Sequence, residues 1–225
     1  MATSTVENYI KHIYLQSQRL SGGALVPMGE MAQALEVTPG TATTMIKTLH
    51  EAGLVDYEPR LGTRLTERGV TLALHVLRRH RLVELFLVQT LGMSWSEIHE
   101  EAEELEHAIS ERLLERIDRK LGYPTVDPHG DPIPSAGGEV SDRSLVPLSE
   151  AKPGIALAIG RIADQREEFL QFAEKKGLVP GETVCMTARD EIAGVIHLKV
   201  EGGATVSVGM AAAAKIEVEE SARQG

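Results

Sequence analysis

A mainly helical chain that closes in a small β domain is what these 225 residues predict. Three observations carry that reading. Apolar residues recur at helical spacing through most of residues 6–121. The proline-rich stretch 123–134 then ends the helical pattern. From residue 152 onward, short alternating runs punctuated by glycine replace it.

Val6, Ile10, Ile13, Tyr14 and Leu15 give a first helix over 6–18, which Gly22-Gly23 should break. A short second helix follows over 27–35 (Met28, Met31, Ala32, Leu35). The tight connection Glu36-Val37-Thr38-Pro39-Gly40 leads into a third helix over 41–52, with Ala42, Met45, Ile46 and Leu49 facing inward. Gly53 stands where a helix end wants a left-handed residue. Leu54-Val55-Asp56-Tyr57 and Thr63-Arg64-Leu65-Thr66 read as two short strands around a turn at 58–62. Thr66 can cap the next helix. This order is that of a winged helix-turn-helix.

Its third helix is the candidate reading element for double-stranded DNA, against a plain solvated helix face. Thr38, Pro39, Gly40, Thr41, Thr43 and Thr44 let the helix start approach base edges and phosphates closely, and Lys47, Arg60 and Arg64 can meet phosphates. Threonine is a poor helix former, so four in this short stretch need a reason beyond a solvated face.

Long helices are expected over 70–91 and 94–121, the second with Ser94 and Glu97 as a capping box. After the proline-rich linker, strands at 183–186 and 204–208 and a short helix at 164–176 read as a small β-barrel.

The net charge of −10 argues against a general nucleic-acid binder. The charge is uneven, however. Residues 1–69 hold seven acids against six bases, and the acid excess begins with the run 97–106. A DNA-binding head is therefore allowed, and acidity elsewhere suits a protein that holds cations. One cysteine, Cys185, fits a reducing compartment. No apolar run is long enough to span a membrane and no signal-peptide pattern opens the chain, so the cytoplasm is expected.

Two groups carry metal-ligand chemistry. His80 and Glu84 share a helix face, and His99, Glu103, Glu106 and His107 form one stripe at i, i+4, i+7 and i+8. Antiparallel packing of these two helices would gather six imidazole and carboxylate groups, which repel one another unless cations enter. Spacing alone leaves a solvated acidic face equally open. His12, His50, His75, His129 and His197 have no comparable partners and read as surface, packing or linker residues.

Arg79-His80-Arg81-Leu82-Val83-Glu84 and the stretch from Ile98-His99 to Glu106-His107 resemble the metal-site core of the diphtheria toxin repressor and manganese transport regulator family. Asp127-Pro128-His129-Gly130-Asp131-Pro132-Ile133-Pro134 and Glu7-Asn8-Tyr9-Ile10-Lys11-His12-Ile13-Tyr14 resemble its linker and first helix. The resemblance implies a winged helix-turn-helix over 1–72, a helical metal-binding and dimerisation domain over 73–140, a linker at 141–151 and an SH3-like domain over 152–225. It implies two metal sites: His80, Glu84 and His99 completed by Gln165 and Glu168, and Glu103, Glu106 and His107 completed by Asn8 or Glu7.

The family's iron-sensing branch carries cysteine at the position of Glu103 and methionine at that of Asn8; its manganese branch carries carboxylates at both. Lys11 stands where some manganese regulators have a further carboxylate. A carboxylate in place of a thiolate favours Mn²⁺ over softer ions, with Fe²⁺ the alternative. The expectation is a homodimeric, non-enzymatic repressor of metal-uptake genes acting on a palindromic operator. Rival readings are a metal-independent winged-helix regulator whose barrel binds a peptide or small molecule, and a metallohydrolase, for which a nucleophile motif and an acid–base pair are missing.

Overall fold

The computed structural model describes residues 3–20, 23–95, 97–203 and 205–221. They fall into two compact units. The first comprises Met1–His80, Glu103–Leu114 and Pro134–Glu139; the second comprises Arg81–Ala102, Glu115–Ile133 and Val140–Gly225.

In the first unit, helix α1 (Ser4–Arg19) is capped by Thr3, whose hydroxyl accepts from the Val6 N–H. Of the expected glycine break, Gly23 takes φ +72°, and Gly22 lies outside the described residues. Helix α2 (Met28–Ala34) and helix α3 (Pro39–Glu51) follow, joined by a turn in which Glu36 adopts φ +52°. Thr38 caps α3 with Pro39 in its first turn, and Gly53 takes the left-handed conformation after its end. Strands β1 (Val55–Glu58) and β2 (Gly62–Leu65) pair antiparallel as the wing. Val26 adds backbone bonds to Thr63 on the other edge of β2. Tyr9, Ile10, Ile13, Met31, Ala42, Ile46, Leu49 and Val55 form the buried core.

Helix α4 (Glu67–Leu91) opens as expected, with the Gly69 N–H donating to the Thr66 hydroxyl. The single helix expected over 94–121 is two: α5 (Ile98–Ala108) and α6 (Glu111–Lys120). Ser110 interrupts the ladder by capping α6, its hydroxyl accepting from the Leu113 N–H. Ser94 engages in the carboxylate half of the expected capping box. The Glu97 carboxylate accepts from its N–H at 3.0 Å and its hydroxyl at 2.6 Å, closing a turn ahead of Ile98.

The second unit contains a six-stranded antiparallel sheet, ordered β3 (Val146–Pro147), β8 (Ile216–Glu220), β4 (Ala156–Ile162), β5 (Thr183–Asp190), β6 (Val195–Val200), β7 (Thr205–Gly209). Helix α7 (Glu167–Lys175) and the single turn α8 (Met210–Ala213) complete it. Leu157, Ile159, Val184, Met186, Ile196, Leu198 and Val218 alternate inward to form its core with Leu170 and Leu178. No helix among the described residues is long and apolar enough to cross a membrane.

Candidate metal centres and DNA-reading face

The first unit assembles a polar cluster from three helices. Glu7, Asn8 and Lys11 come from α1, Arg79 and His80 from α4, and Glu103, Glu106 and His107 from α5. The spacings i, i+1, i+4 on α1 and i, i+3, i+4 on α5 put each set on one helix face. His107 is held on both sides: Nδ1 lies 2.7 Å from Glu7 Oε2, and Nε2 lies 2.7 Å from Asn8 Oδ1 and 3.3 Å from Glu106 Oε1. Glu106 is fully buried, with Oε2 2.8 Å from His80 Nδ1. Lys11 donates to Glu103 and Glu106, 2.7 Å from each, and Arg79 donates to Glu7 at 2.8 Å. The amide and carboxylate named as alternative completions, Asn8 and Glu7, thus both touch the same imidazole.

The second unit holds another cluster. Glu84 on α4 and His99 on α5 approach to 3.5 Å, although His99 is largely exposed. Glu84, Asp127 and His129 are all buried, with ligand atoms within 4.8 Å of one another. His129, read as a surface, packing or linker residue without comparable partners, does pack edge-on to Trp95, but it also has a carboxylate partner, facing Glu84 at 3.9 Å. The backbone explains how a proline-rich turn delivers a candidate ligand. Asp127 Oδ1 accepts from the N–H groups of His129 and Asp131, and Ile162 of β4 donates to the His129 carbonyl. Burial, with Asp131 and Glu84 nearby, pushes the Asp127 carboxyl well above the ordinary carboxylate range, while Arg81 partly offsets this.

Gln165 donates to Asp131, on the same loop, and Glu168 is exposed in the first turn of α7. Sequence reading missed Asp127 and His129 as candidate ligands. Their signal was two carboxylates and an imidazole within Asp127-Pro128-His129-Gly130-Asp131.

On the candidate DNA-reading face, Thr38, Pro39, Gly40, Thr41, Thr44 and Lys47 are exposed, and Thr43 is half-buried. The Thr43 and Thr44 hydroxyls donate back to the carbonyls of Pro39 and Gly40, so toward any further partner these oxygens act as acceptors. The wing places Arg60 at its tip with φ +70° and Arg64 on β2, bonded to Asp56 at 3.1 Å.

Three family models match consecutive stretches: the iron-dependent repressor N-terminal DNA-binding domain over residues 1–63, the iron-dependent repressor metal-binding and dimerisation domain over 66–135, and the FeoA domain over 146–220. The chain is 29% identical to the iron-dependent repressor IdeR of Mycobacterium leprae over 95% of its own length and 96% of that protein's. It is 32% identical to the HTH-type transcriptional regulator MntR of Lysinibacillus sphaericus, over 52% of this chain and 81% of that one. A solved manganese-dependent transcriptional repressor in complex with manganese superposes with a TM-score of 0.83 at 39% identity, over 96% of this chain and all of that one. The matched stretches follow one another along the chain, and with the 39% identity to the manganese-dependent repressor over its whole length they show that the chain belongs to the iron-dependent repressor family of metal-dependent, DNA-binding transcriptional repressors.

Proposed function

We propose that the chain is a manganese-responsive repressor that binds a palindromic operator as a homodimer, in the cytoplasm, and controls metal-uptake genes. One observation carries this reading: His107 of α5 is clasped by Glu7 and Asn8 of α1, so the acidic cluster reaches directly into the DNA-binding head. The donors of both clusters are carboxylate and amide oxygens and imidazole nitrogens. That set suits a hard to borderline divalent ion and lacks the sulfur that favours softer ones.

Asn8 or Glu7, with Glu103, Glu106 and His107, would hold an ion in the first unit. Glu84, Asp127, His129 and His99 would hold one in the second, with Gln165 and Glu168 as further candidates. A bound divalent ion supplies positive charge that offsets the clustered carboxylates. The protein's own part is mechanical. Glu7, Asn8 and Lys11 tie α1 to α5, and Ile10 and Ile13 of α1 belong to the same buried core as Ala42, Ile46 and Leu49 of α3. The set of α1 therefore bears on the set of the reading helix. Two such heads must match half-sites a whole number of DNA turns apart, so a small change in that set alters affinity steeply.

A gel-shift titration on a palindromic operator tests the reading. Binding should require Mn²⁺ and be lost with chelator and in His107→Ala. Equal binding with chelator and with Mn²⁺ would refute the metal switch. Activation by Fe²⁺ under anaerobic conditions at lower concentration than Mn²⁺ would favour the iron reading.

A further inference from the structure

Lys11 is an unusual occupant of a cluster that is to hold a divalent cation. Its side chain is 3% exposed, and its ammonium lies 2.7 Å from Glu103 Oε1 and 2.7 Å from Glu106 Oε1. Those are two of the carboxylates proposed above as ligands. Around it, Glu7, Glu103 and Glu106 are balanced by Lys11 and Arg79, which leaves one negative charge when histidines are counted neutral. Without the ammonium, the same set would carry two.

We propose that Lys11 is a tethered competitor for the divalent ion and so sets the concentration at which the first-unit cluster loads. The ammonium already makes the contacts that a cation makes to Glu103 and Glu106. An incoming ion must either displace it from those oxygens or share them with a like charge a few ångströms away, and both lower affinity. The stem of Lys11 is fixed by its place on α1, so the competitor cannot diffuse away and its local concentration stays constant. The same contacts tie α1 to α5. Lys11 thereby keeps buried Glu106 compensated until an ion arrives. This inference rests on the reading of the first-unit cluster as a metal site.

The test is calorimetric titration of the full-length metal-free protein with MnCl₂, comparing wild type with Lys11→Gln, Lys11→Met and Lys11→Arg. The first-unit binding phase is identified as the one lost in His107→Ala. Lys11→Gln and Lys11→Met should tighten that phase at least about tenfold and lower the Mn²⁺ concentration for operator binding in step. Lys11→Arg, which keeps the charge, should stay within about threefold of wild type. Unchanged or weaker Mn²⁺ affinity in both neutral variants would overturn the proposal while leaving the metal site intact. If His107→Ala removes no binding phase, the metal-site reading fails, and the proposal with it. Should the neutral variants fold poorly without metal, the rise in melting temperature with Mn²⁺ replaces the titration. It should exceed that of wild type, and an equal or smaller rise would overturn the proposal.

Discussion

Gly130 lies so close to the carbonyl of Gly160 that a Cβ on Gly130 would come within 2.1 Å of that oxygen. Its φ of +88° is also one that side chains rarely adopt. This contact seats the turn carrying Asp127 and His129 against β4, next to the bond from Ile162 to His129. Gly130→Ala should therefore destabilise the protein by about 2–3 kcal/mol, from strain and forced backbone displacement. It should also weaken metal binding at the second-unit cluster while sparing the first. Urea denaturation and a Mn²⁺ titration check the two halves separately. Wild-type stability in Gly130→Ala would show that the turn yields cheaply.

Asp127 makes the second prediction, through pH. Its carboxyl is raised above the ordinary range because burial, Asp131 and Glu84 disfavour its charge. The folded state thus holds the proton more tightly than the unfolded state. The cost of ionising Asp127 is absent below the ordinary carboxylate pKa and complete above the raised one. Metal-free protein should lose stability as pH rises through that window, and Mn²⁺ affinity should rise across it, because a ligand carboxylate must shed its proton. Asp127→Asn keeps an oxygen for the His129 and Asp131 N–H groups. It should flatten the stability slope and raise the metal-free melting temperature near neutral pH, while lowering Mn²⁺ affinity at the second cluster. Thermal melts from pH 5 to 8 are the measurement. A melting temperature below wild type at pH 7 would contradict the assignment.

Glu106 gives the third. Its side chain is fully buried between Lys11 and His80. Glu106→Met strands the Lys11 ammonium with Glu103 and should cost about 3 kcal/mol in metal-free protein. The double variant Lys11→Met with Glu106→Met removes both buried charges and should recover most of that loss, leaving a coupling of about 1–3 kcal/mol. Denaturant melts in a double-mutant cycle measure it. Additive single losses would mean the pair is not energetically linked.

What the sequence made legible follows from where each signal is stored. The three helices and wing of the head were readable because Ile10, Ile13, Ala42, Ile46 and Leu49 repeat at helical spacing and Gly53 punctuates the last of them. The stripe from Glu103 to His107 was readable for the same reason, since its members share one helix. His129 was not. Its partner Glu84 is 45 positions away, and no periodicity relates a helix to a proline-rich turn. Lys11 was visible as a residue but not as an occupant, because only packing brings α1 onto Glu103 and Glu106. The break at Ser110 was hidden because a serine cap costs little in an otherwise helical pattern, and the apolar period resumes at Leu113 and Leu114.

Arg60 separates folding from function in the head. It sits exposed at the wing tip with φ +70°, a left-handed conformation that costs a non-glycine residue about 1–2 kcal/mol. Nothing in the hairpin requires a long cationic side chain there, since glycine adopts the same turn more cheaply. Arg60→Gly should therefore raise stability by up to about 1 kcal/mol. If Arg60 contacts a phosphate, the same change should weaken operator binding and reduce the slope of log affinity against log salt by about 1. Lys47→Ala, on exposed helix positions of α3, should give the same reduction in slope with stability unchanged within about 0.5 kcal/mol. Urea melts and operator titrations in Mn²⁺ at several salt concentrations distinguish the cases. A more stable Arg60→Gly protein with wild-type affinity and salt slope would remove the wing tip from the DNA interface. A less stable one would mean that Arg60 serves the hairpin instead.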